Sequence, residues 1–82
     1  MKQIIYSRVA LQTLGKMPRN SASRIRSKIS AYAADPASQA NNVKKLKGTD
    51  AIRLRVGDWR VVMEDGFVLD VLRIGPRGSV YD

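Results

Sequence analysis

The chain begins with a short apolar segment, which is followed by apolar residues at helical spacing. The segment 2–6 ("KQIIY") predicts a strand, and Ser7 after it is a residue type that often caps a helix. A first helix is therefore expected over 8–17, and Pro18 limits it. The approximate apolar face of this helix consists of Val9, Leu11, Leu14 and Met17.

A second helix is predicted over 21–35 ("SASRIRSKISAYAAD"), where apolar residues recur at helical spacing. The residues on that apolar face are Ile25, Ile29, Tyr32 and Ala33. The basic residues of this helix should then turn mostly to solvent; they are Arg24, Arg26 and Lys28. Pro36 stops the helix, and the small polar residues up to Asn42 indicate a loop.

The second half of the chain consists of short, apolar, β-rich segments between turn residues. Gly57-Asp58 and Asp65-Gly66 are typical of two-residue hairpin turns. A strand also begins at 43–48 ("VKKLKG"), and the turns separate three further segments: 51–56 ("AIRLRV"), 59–64 ("WRVVME") and 67–74 ("FVLDVLRI"). The element order predicts one α+β domain over 1–82, with an N-terminal strand, a helical hairpin and an antiparallel sheet of three or four strands. Both helices are expected on one face of the sheet.

Side-chain alternation along these strands predicts two different sheet faces. With two-residue turns, the core face carries Ile52, Leu54, Val56, Trp59, Val61, Met63, Val68, Leu72 and Ile74. The opposite face carries Val62, Phe67, Leu69 and Val71 together with Arg53, Arg55, Arg60 and Arg73. Asp70 falls on the core face in this register, which indicates that a bulge or an edge position shifts the last strand.

Charge and composition narrow the classes of function. The formal net charge of +8 favours phosphate polymers or acidic proteins as partners. The sequence has no cysteine and no histidine, which excludes disulfides, thiolate nucleophiles, imidazole acid–base chemistry and the usual zinc sites. No metal or other cofactor is expected. Without an apolar run of membrane-spanning length or a signal-peptide pattern, we expect a cytoplasmic protein with no membrane partner.

The first hairpin places two arginines against each other. A turn at Gly57-Asp58 puts Arg55 directly opposite Arg60, although like charges opposed on a sheet face are destabilising. Arg73 is expected diagonal to Arg60 on the next strand. A phosphodiester between these guanidinium groups would explain the arrangement, because guanidinium forks bind phosphate oxygens bidentately. The alternative is three exposed arginines that pair with carboxylates or solvent.

The last residues add groups suited to metal-free RNA cleavage. Gly75, Pro76 and Gly78 bend the chain and present Arg77 and Tyr81. When a ribose 2′-hydroxyl attacks the adjacent phosphate, positive charge stabilises the phosphorane, and protons move at the attacking and leaving oxygens. Arginine supplies the charge, and a tyrosine hydroxyl can supply one proton transfer.

Three motifs in this order, "VKKLKG", "IRLRVGDWRVV" and "VLRIGPRGSVYD", resemble the RelE/ParE superfamily of bacterial type II toxins over nearly the whole chain. The RelE branch implies a ribosome-dependent mRNA endoribonuclease that inhibits translation. The resemblance assigns catalysis to Arg60 on the sheet, Arg77 after the last strand, and Tyr81 as an acid–base group. RNA or phosphate binding is expected of six more residues: Lys44, Lys45, Lys47, Arg53, Arg55 and Arg73. The three lysines equally fit a solvated loop.

Three positions depart from the RelE pattern. Arg53 stands where some ribonuclease members have a lysine thought to act as the base, and Ala51 occupies a second position that is basic in some. Pro76 stands where many members have histidine. Because a guanidinium group does not deprotonate in proteins, Arg53 can stabilise charge but cannot act as a base. These departures put turnover in question, although they leave phosphate binding intact.

The resemblance also implies partners. A cognate antitoxin is expected to wrap the toxin with an acidic segment that neutralises the arginine face. The ribosome and mRNA are the other expected partners, and DNA is contacted only through the antitoxin complex. Two alternatives stay open: a ParE-type poison of DNA gyrase without nuclease chemistry, and a catalytically decayed toxin that acts with its antitoxin in DNA-bound autorepression.

Overall fold

Over the part of the chain that the structure describes, two helices, a 3₁₀ helix and five strands form an α+β fold, which confirms the predicted fold class. The computed structural model describes residues 1–78. The helices are α1 (Arg8–Lys16), α2 (Arg19–Ala34) and the 3₁₀ helix Pro36–Asn42. The strands are β1 (Ile4–Tyr6), β2 (Val43–Lys45), β3 (Ala51–Val56), β4 (Trp59–Asp65) and β5 (Leu69–Pro76). The sheet order is β1-β5-β4-β3-β2, with β1 parallel to β5 and the other neighbours antiparallel.

Ser7 begins α1 and also ties it to the sheet. Its Oγ accepts a hydrogen bond from the Ala10 N–H at 3.0 Å, as expected of an N-cap. The same hydroxyl donates to the Leu72 carbonyl oxygen at 2.7 Å, and the Ser7 N–H donates to the Val71 carbonyl oxygen at 2.9 Å. One residue therefore joins the end of β1, the start of α1 and the middle of β5.

The predicted apolar face of α1 is partly wrong. Ala10 and Leu14 are buried and Met17 packs against the core, whereas Val9 and Leu11 are 53% and 47% exposed. The small Ala10 side chain lies against the sheet, and Val9 and Leu11 fall about 100° to either side of it on the helix. The centre of the buried face is thus the small Ala10, which was not among the residues predicted for it.

In α2 the four predicted core residues are all buried: Ile25, Ile29, Tyr32 and Ala33. The helix begins two residues earlier than predicted, since Pro18 is its N-cap. The predicted loop after Pro36 is wrong, because this segment folds as the 3₁₀ helix. Proline suits the start of a helix, where no N–H partner is needed.

The β3–β4 hairpin has the predicted register. Arg55 pairs with Arg60 and Val56 with Trp59, on either side of a turn in which Gly57 has a φ of 59°. A positive φ at the first central residue is typical of a type II′ turn, where glycine is preferred.

The predicted register between β4 and β5 is wrong at every pair, and the predicted facing of the side chains is wrong over the first half of β5. Three residues, 66–68, connect the strands instead of a two-residue turn, so Asp65 pairs with Leu69. The extra residue turns Leu69 and Val71 into the core and leaves Phe67 99% exposed.

A register shift further along β5 reverses this effect. Val62 pairs with Arg73 and Met63 with Val71, which leaves Leu72 as the additional residue of a bulge. The bulge restores the predicted facing of the side chains, and Ile74 therefore lies in the core as predicted. The longer 66–68 connection, which lies before the bulge, resolves the Asp70 conflict by moving Asp70 off the core face.

The sheet has an apolar cluster on each side. The larger one packs α1 and α2 against one sheet face, and it includes Ile25, Ile29, Leu54, Val61, Met63 and Val71. The smaller one contains Leu46, Ala51 and Val62 with Leu72 packed against it. Leu72 and Val68 are therefore not part of the main core, contrary to prediction. No helix among residues 1–78 is long and apolar enough to span a bilayer.

Candidate nucleic-acid interface

Basic residues from four strands share the sheet face opposite the main core. In one row across the sheet, Lys44 pairs with Arg53, Arg53 with Val62, and Val62 with Arg73. The next row toward the β3–β4 turn begins with Arg55, which pairs with Arg60. Side chains alternate along each strand, so these residues project to the same side.

Four contacts gather at the β3–β4 turn, and two of them are made by Arg60. The Arg60 Nη1 atom donates to the carbonyl oxygens of Gly57 and Trp59, both at 3.0 Å. The Arg77 backbone N–H donates to the Asp58 carbonyl oxygen at 2.7 Å, which places the segment after β5 beside the turn. From α2, the Arg24 Nη1 atom lies 3.4 Å from where a Cβ on Gly57 would be. One tight turn therefore collects arginines from α2, β4 and the segment after β5.

Neutral oxygen atoms receive the hydrogen bonds of the two opposed arginines. Arg55 Nη2 donates to Asn42 Oδ1 at 3.3 Å, while Arg60 binds backbone carbonyls. These acceptors orient the guanidinium groups without cancelling their charge. The predicted opposition of Arg55 and Arg60 is confirmed by the register, and the charge of both remains available to an anion.

Two adjoining clefts open between these side chains. The sheet cleft has a volume of about 340 Å³ and is lined by Asn41, Asn42, Val43, Lys44, Arg53, Arg55 and Arg60. The helix cleft has a volume of about 390 Å³ and is lined by Arg24, Lys28, Asn42, Arg55, Val56, Gly57, Arg60 and Arg77. The two share Asn42, Arg55 and Arg60. Among residues 1–78, no carboxylate lines either cleft.

This distribution of charge creates a strongly positive concave surface. Clefts lined by charges of one sign focus the electrostatic potential and raise the local concentration of oppositely charged ligands. Guanidinium groups also match the geometry of phosphate oxygens better than ammonium groups do. The clefts are therefore suited to hold a phosphate backbone.

The structure brings together most, but not all, of the residues predicted for the site. Lys44 and Arg53 line the sheet cleft, Arg55 and Arg60 line both clefts, and Arg77 lines the helix cleft. Tyr81 lies outside the described residues.

Three other predicted residues line neither cleft: Lys45, Lys47 and Arg73. Arg73 lies one row from Arg60 on the same face and is exposed. Lys45 and Lys47 line a smaller neighbouring recess of about 170 Å³, which also contacts Lys44 and Arg53.

The contribution of α2 to the site was not predicted from the sequence. Arg24 and Lys28 were predicted to turn mostly to solvent, and both line the helix cleft. Their spacing of four residues puts them on the same face of a helix, and this was the available signal. Asn42 was also missed, since nothing local distinguishes it from other polar residues before β2.

Acidic residues gather at the other end of the sheet. An open cavity of about 570 Å³ at this end is lined by Asp50, Glu64, Asp65 and Asp70, together with Lys45 and the 66–68 connection. Within residues 1–78, no group of three or more histidine, cysteine or acidic residues is arranged to hold a metal ion. The strands thus run between a basic end at the β3–β4 turn and an acidic end at the β4–β5 connection.

Asp65 at the acidic end is an internal structural contact. Its carboxylate forms an ion pair with Lys2 and accepts a hydrogen bond from the Tyr32 hydroxyl at 2.7 Å. The hydrogen bond from Lys2 is the main cause that holds the Asp65 pKa below its usual value. Burial, followed by the bond to Asp65, raises the pKa of Tyr32 to about 12. These contacts join the segment before β1, α2 and β4 to one another.

The family model described as "ParE toxin of type II toxin-antitoxin system, parDE" matches residues 4–81. The chain belongs to this family. It is therefore a toxin of the RelE/ParE superfamily, as the sequence motifs predicted. No curated protein matched the chain.

Solved toxin structures share the fold. The toxin of an archaeal RelE-RelB complex from Pyrococcus horikoshii is 24% identical with a TM-score of 0.81, over 96% of this chain and 98% of that one. The RelB-RelE antitoxin-toxin complex from Methanococcus jannaschii gives 24% identity and a TM-score of 0.74, covering 95% of each chain. The isolated E. coli RelE toxin gives 18% identity and a TM-score of 0.78, over 94% of this chain and 85% of that one.

Proposed function

We propose that this toxin is a metal-independent endoribonuclease that cleaves mRNA on the ribosome and so inhibits translation. The observation that supports the proposal most is the helix cleft, where Arg55, Arg60 and Arg77 surround one turn with no described carboxylate among them. A strand of RNA brings one negative charge per nucleotide to such a surface, and counterion release then favours binding.

In the proposed reaction, the scissile phosphate lies beside Arg60, at the boundary of the two clefts. The ribose 2′-oxygen attacks phosphorus, the bond from phosphorus to the 5′-oxygen breaks, and the products are a 2′,3′-cyclic phosphate and a 5′-hydroxyl. Arg60 and Arg77 stabilise the negative charge that develops on the phosphorane oxygens. Arg53 in the sheet cleft adds positive charge but takes no proton.

The protons are assigned to Tyr81 in this proposal. A phenol has a pKa near 10 in water, so its hydroxyl can donate a proton to the leaving 5′-oxygen without prior activation. The proton of the 2′-hydroxyl passes to water or to a group on the ribosome, since Arg53 replaces the lysine expected at the position of the base.

The partners follow from the same charge distribution. We propose that a cognate antitoxin covers the basic clefts with an acidic segment, and that DNA is contacted only through the antitoxin complex. The charge of +8 supports an acidic partner, and several structures with this fold are toxin-antitoxin complexes. The ribosome and mRNA are the proposed targets, in the cytoplasm.

A gyrase poison of the ParE type is the second candidate. Its support is the ParE name of the matching family and the burial of Ala51, which is 5% exposed and packs with Val62. That position contributes no charged group to the sheet face. If gyrase is the target, the basic clefts bind a protein or DNA surface and perform no bond cleavage.

Two assays on the purified protein separate these candidates. Toeprinting on ribosomes stalled on a defined mRNA should show new 5′ ends within the decoding site, in the presence of EDTA at a level that keeps the ribosomes intact. A gyrase supercoiling assay at the same protein concentration should show no inhibition and no DNA breaks. Gyrase-linked breaks together with intact mRNA would refute the nuclease proposal and support the second candidate.

A further inference from the structure

The helix cleft contains more positive charge than one phosphate requires. Arg60 and Arg77 suffice to bind the oxygens of a single phosphodiester, yet Arg24 and Lys28 of α2 line the same cleft. The four-residue spacing stacks these two side chains along one side of the helix, so they form a cationic wall that faces the sheet.

Arg24 lies beside the hairpin turn. Its Nη1 atom would be 3.4 Å from a Cβ on Gly57, which is a van der Waals distance. Arg24 is exposed and Lys28 is partly buried, and both line the cleft, whereas the exposed Arg19 and Arg26 on the same helix line neither cleft. The helix therefore contributes two of its basic residues to the cleft and leaves the others on the outer surface.

The wall has no described counter-charge within the cleft. Among residues 1–78 the cleft lining has five cationic side chains and no carboxylate, and Asn42 is its one amide. Cations gathered in this way repel one another, so a role in holding α2 against the sheet would favour a carboxylate partner. An anionic ligand resolves the repulsion.

We propose that Arg24 and Lys28 form a second phosphate subsite, which binds the phosphate adjacent to the scissile one on the same RNA strand. This inference rests on the proposed function for the identity of the ligand as RNA. Arg60, which lines both clefts, lies between the two phosphates, and the strand runs from the sheet cleft past the β3–β4 turn toward α2. The subsite contacts the backbone alone, so it adds affinity and register without base preference.

The test measures how RNA binding depends on salt. A fluorescein-labelled single-stranded RNA hexanucleotide is titrated with the full-length protein at several salt concentrations, and log K is plotted against log salt. Each phosphate contact contributes a slope of about −0.7 for single strands. Because the subsite binds one phosphate, Arg24→Ala with Lys28→Ala should reduce the slope by about 0.7, which lowers the affinity gained between 200 and 50 mM salt about 2.6-fold.

The matched control removes the same charge elsewhere. Arg8→Ala with Arg19→Ala changes two exposed helical cations that line neither cleft. This variant should keep the wild-type slope, and Arg24→Lys should keep most of it because a cation is retained. Thermal unfolding of every variant shows whether the fold is intact.

Three results would overturn the subsite. They are an unchanged slope in the Arg24/Lys28 variant, an equal reduction in the control variant, or no binding of the hexanucleotide by the wild-type protein at low salt. The proposed nuclease function fails by a different result, in which the wild-type protein and every variant leave mRNA on the ribosome uncut. The salt slopes are measured on the isolated hexanucleotide, so they are interpreted independently of that result. Cleavage with unchanged slopes would refute the subsite alone.

Discussion

Gly57→Ala tests whether the β3–β4 turn depends on a left-handed backbone conformation. The φ of 59° at this residue costs an alanine about 1 to 2 kcal/mol. The lower conformational entropy of the unfolded chain offsets about 0.4 to 1 kcal/mol of this loss. The added Cβ would meet Arg24 Nη1 at 3.4 Å, which is an ordinary contact with the end of a flexible side chain. A net loss of about 1 kcal/mol is therefore expected.

For a domain of this size, 1 kcal/mol corresponds to a decrease in Tm of about 4 to 8 °C, which circular dichroism readily detects. Gly15→Ala is the matched control, because Gly15 lies in α1 without a positive φ and has nothing within 4 Å of its Cβ position. Alanine is the better helix former, so that variant should gain about 0.5 to 1 kcal/mol. The same chemical change thus has opposite signs at the two sites.

Gly57→Asn separates backbone strain from steric contact. Asparagine tolerates the left-handed region better than alanine but is larger. If strain dominates, Gly57→Asn is more stable than Gly57→Ala. If instead the asparagine variant is the less stable one, or Gly57→Ala leaves the Tm unchanged, the account of the turn is wrong.

Three further predictions concern the cap, the acidic end and the tail. Ser7→Ala removes the N-cap and the bond to the Leu72 carbonyl oxygen, so we expect a loss of about 1 kcal/mol in urea unfolding; a midpoint equal to that of the wild type would contradict this. Tyr32→Phe should remove the phenol that ionises near pH 12 from a spectrophotometric titration. The raised folded-state pKa of Tyr32 also makes the wild-type protein lose stability between pH 10 and pH 12, and the variant should not show this loss. An unchanged titration curve would contradict the contact with Asp65. Tyr81→Phe keeps the ring and removes the proton, so single-turnover cleavage should fall by roughly 10² to 10⁴ with ribosome binding retained, and equal rates would exclude an acid–base role.

Asp65 at the acidic end should make the stability of the fold depend on pH in the acid range. The folded-state pKa of Asp65 lies below the ordinary 3.8, so the contribution of its contacts is present above that pH and is lost as the pH falls through the folded value. Asp65→Asn should unfold with a weaker dependence on pH below about 4, as followed by circular dichroism. An equally steep acid transition in the variant would show that other carboxylates govern it.

Local signals explain which parts of the fold were predictable. The β3–β4 register follows from a Gly-Asp turn next to alternating residues, and both signals lie within ten positions of each other. The β4–β5 register required the longer 66–68 connection and a bulge, and only the first left a trace in the sequence, which is the Asp70 conflict. The face of α1 was misjudged because Ala10, the smallest apolar residue available, allows the closest approach to the sheet.

The candidate site was predictable where it lies on one hairpin. Alternation alone places Arg53, Arg55 and Arg60 on the same face, since no tertiary information is needed for neighbours on paired strands. The wall formed by Arg24 and Lys28 depends on how α2 packs against the sheet, and a helix periodicity does not show which polar residues meet a distant turn.

The central claim is that the arginines around the β3–β4 turn perform RNA cleavage. The most direct measurement is the single-turnover rate of mRNA cleavage on programmed ribosomes by Arg60→Ala with Arg77→Ala, compared with the wild type. Removal of one donor aimed at transition-state charge costs roughly 10² to 10³ in rate, so the double variant should lose at least that much. The charge-matched Arg8→Ala with Arg19→Ala should cut at the wild-type rate. Cleavage by a folded Arg60/Arg77 variant at the wild-type rate would contradict the account.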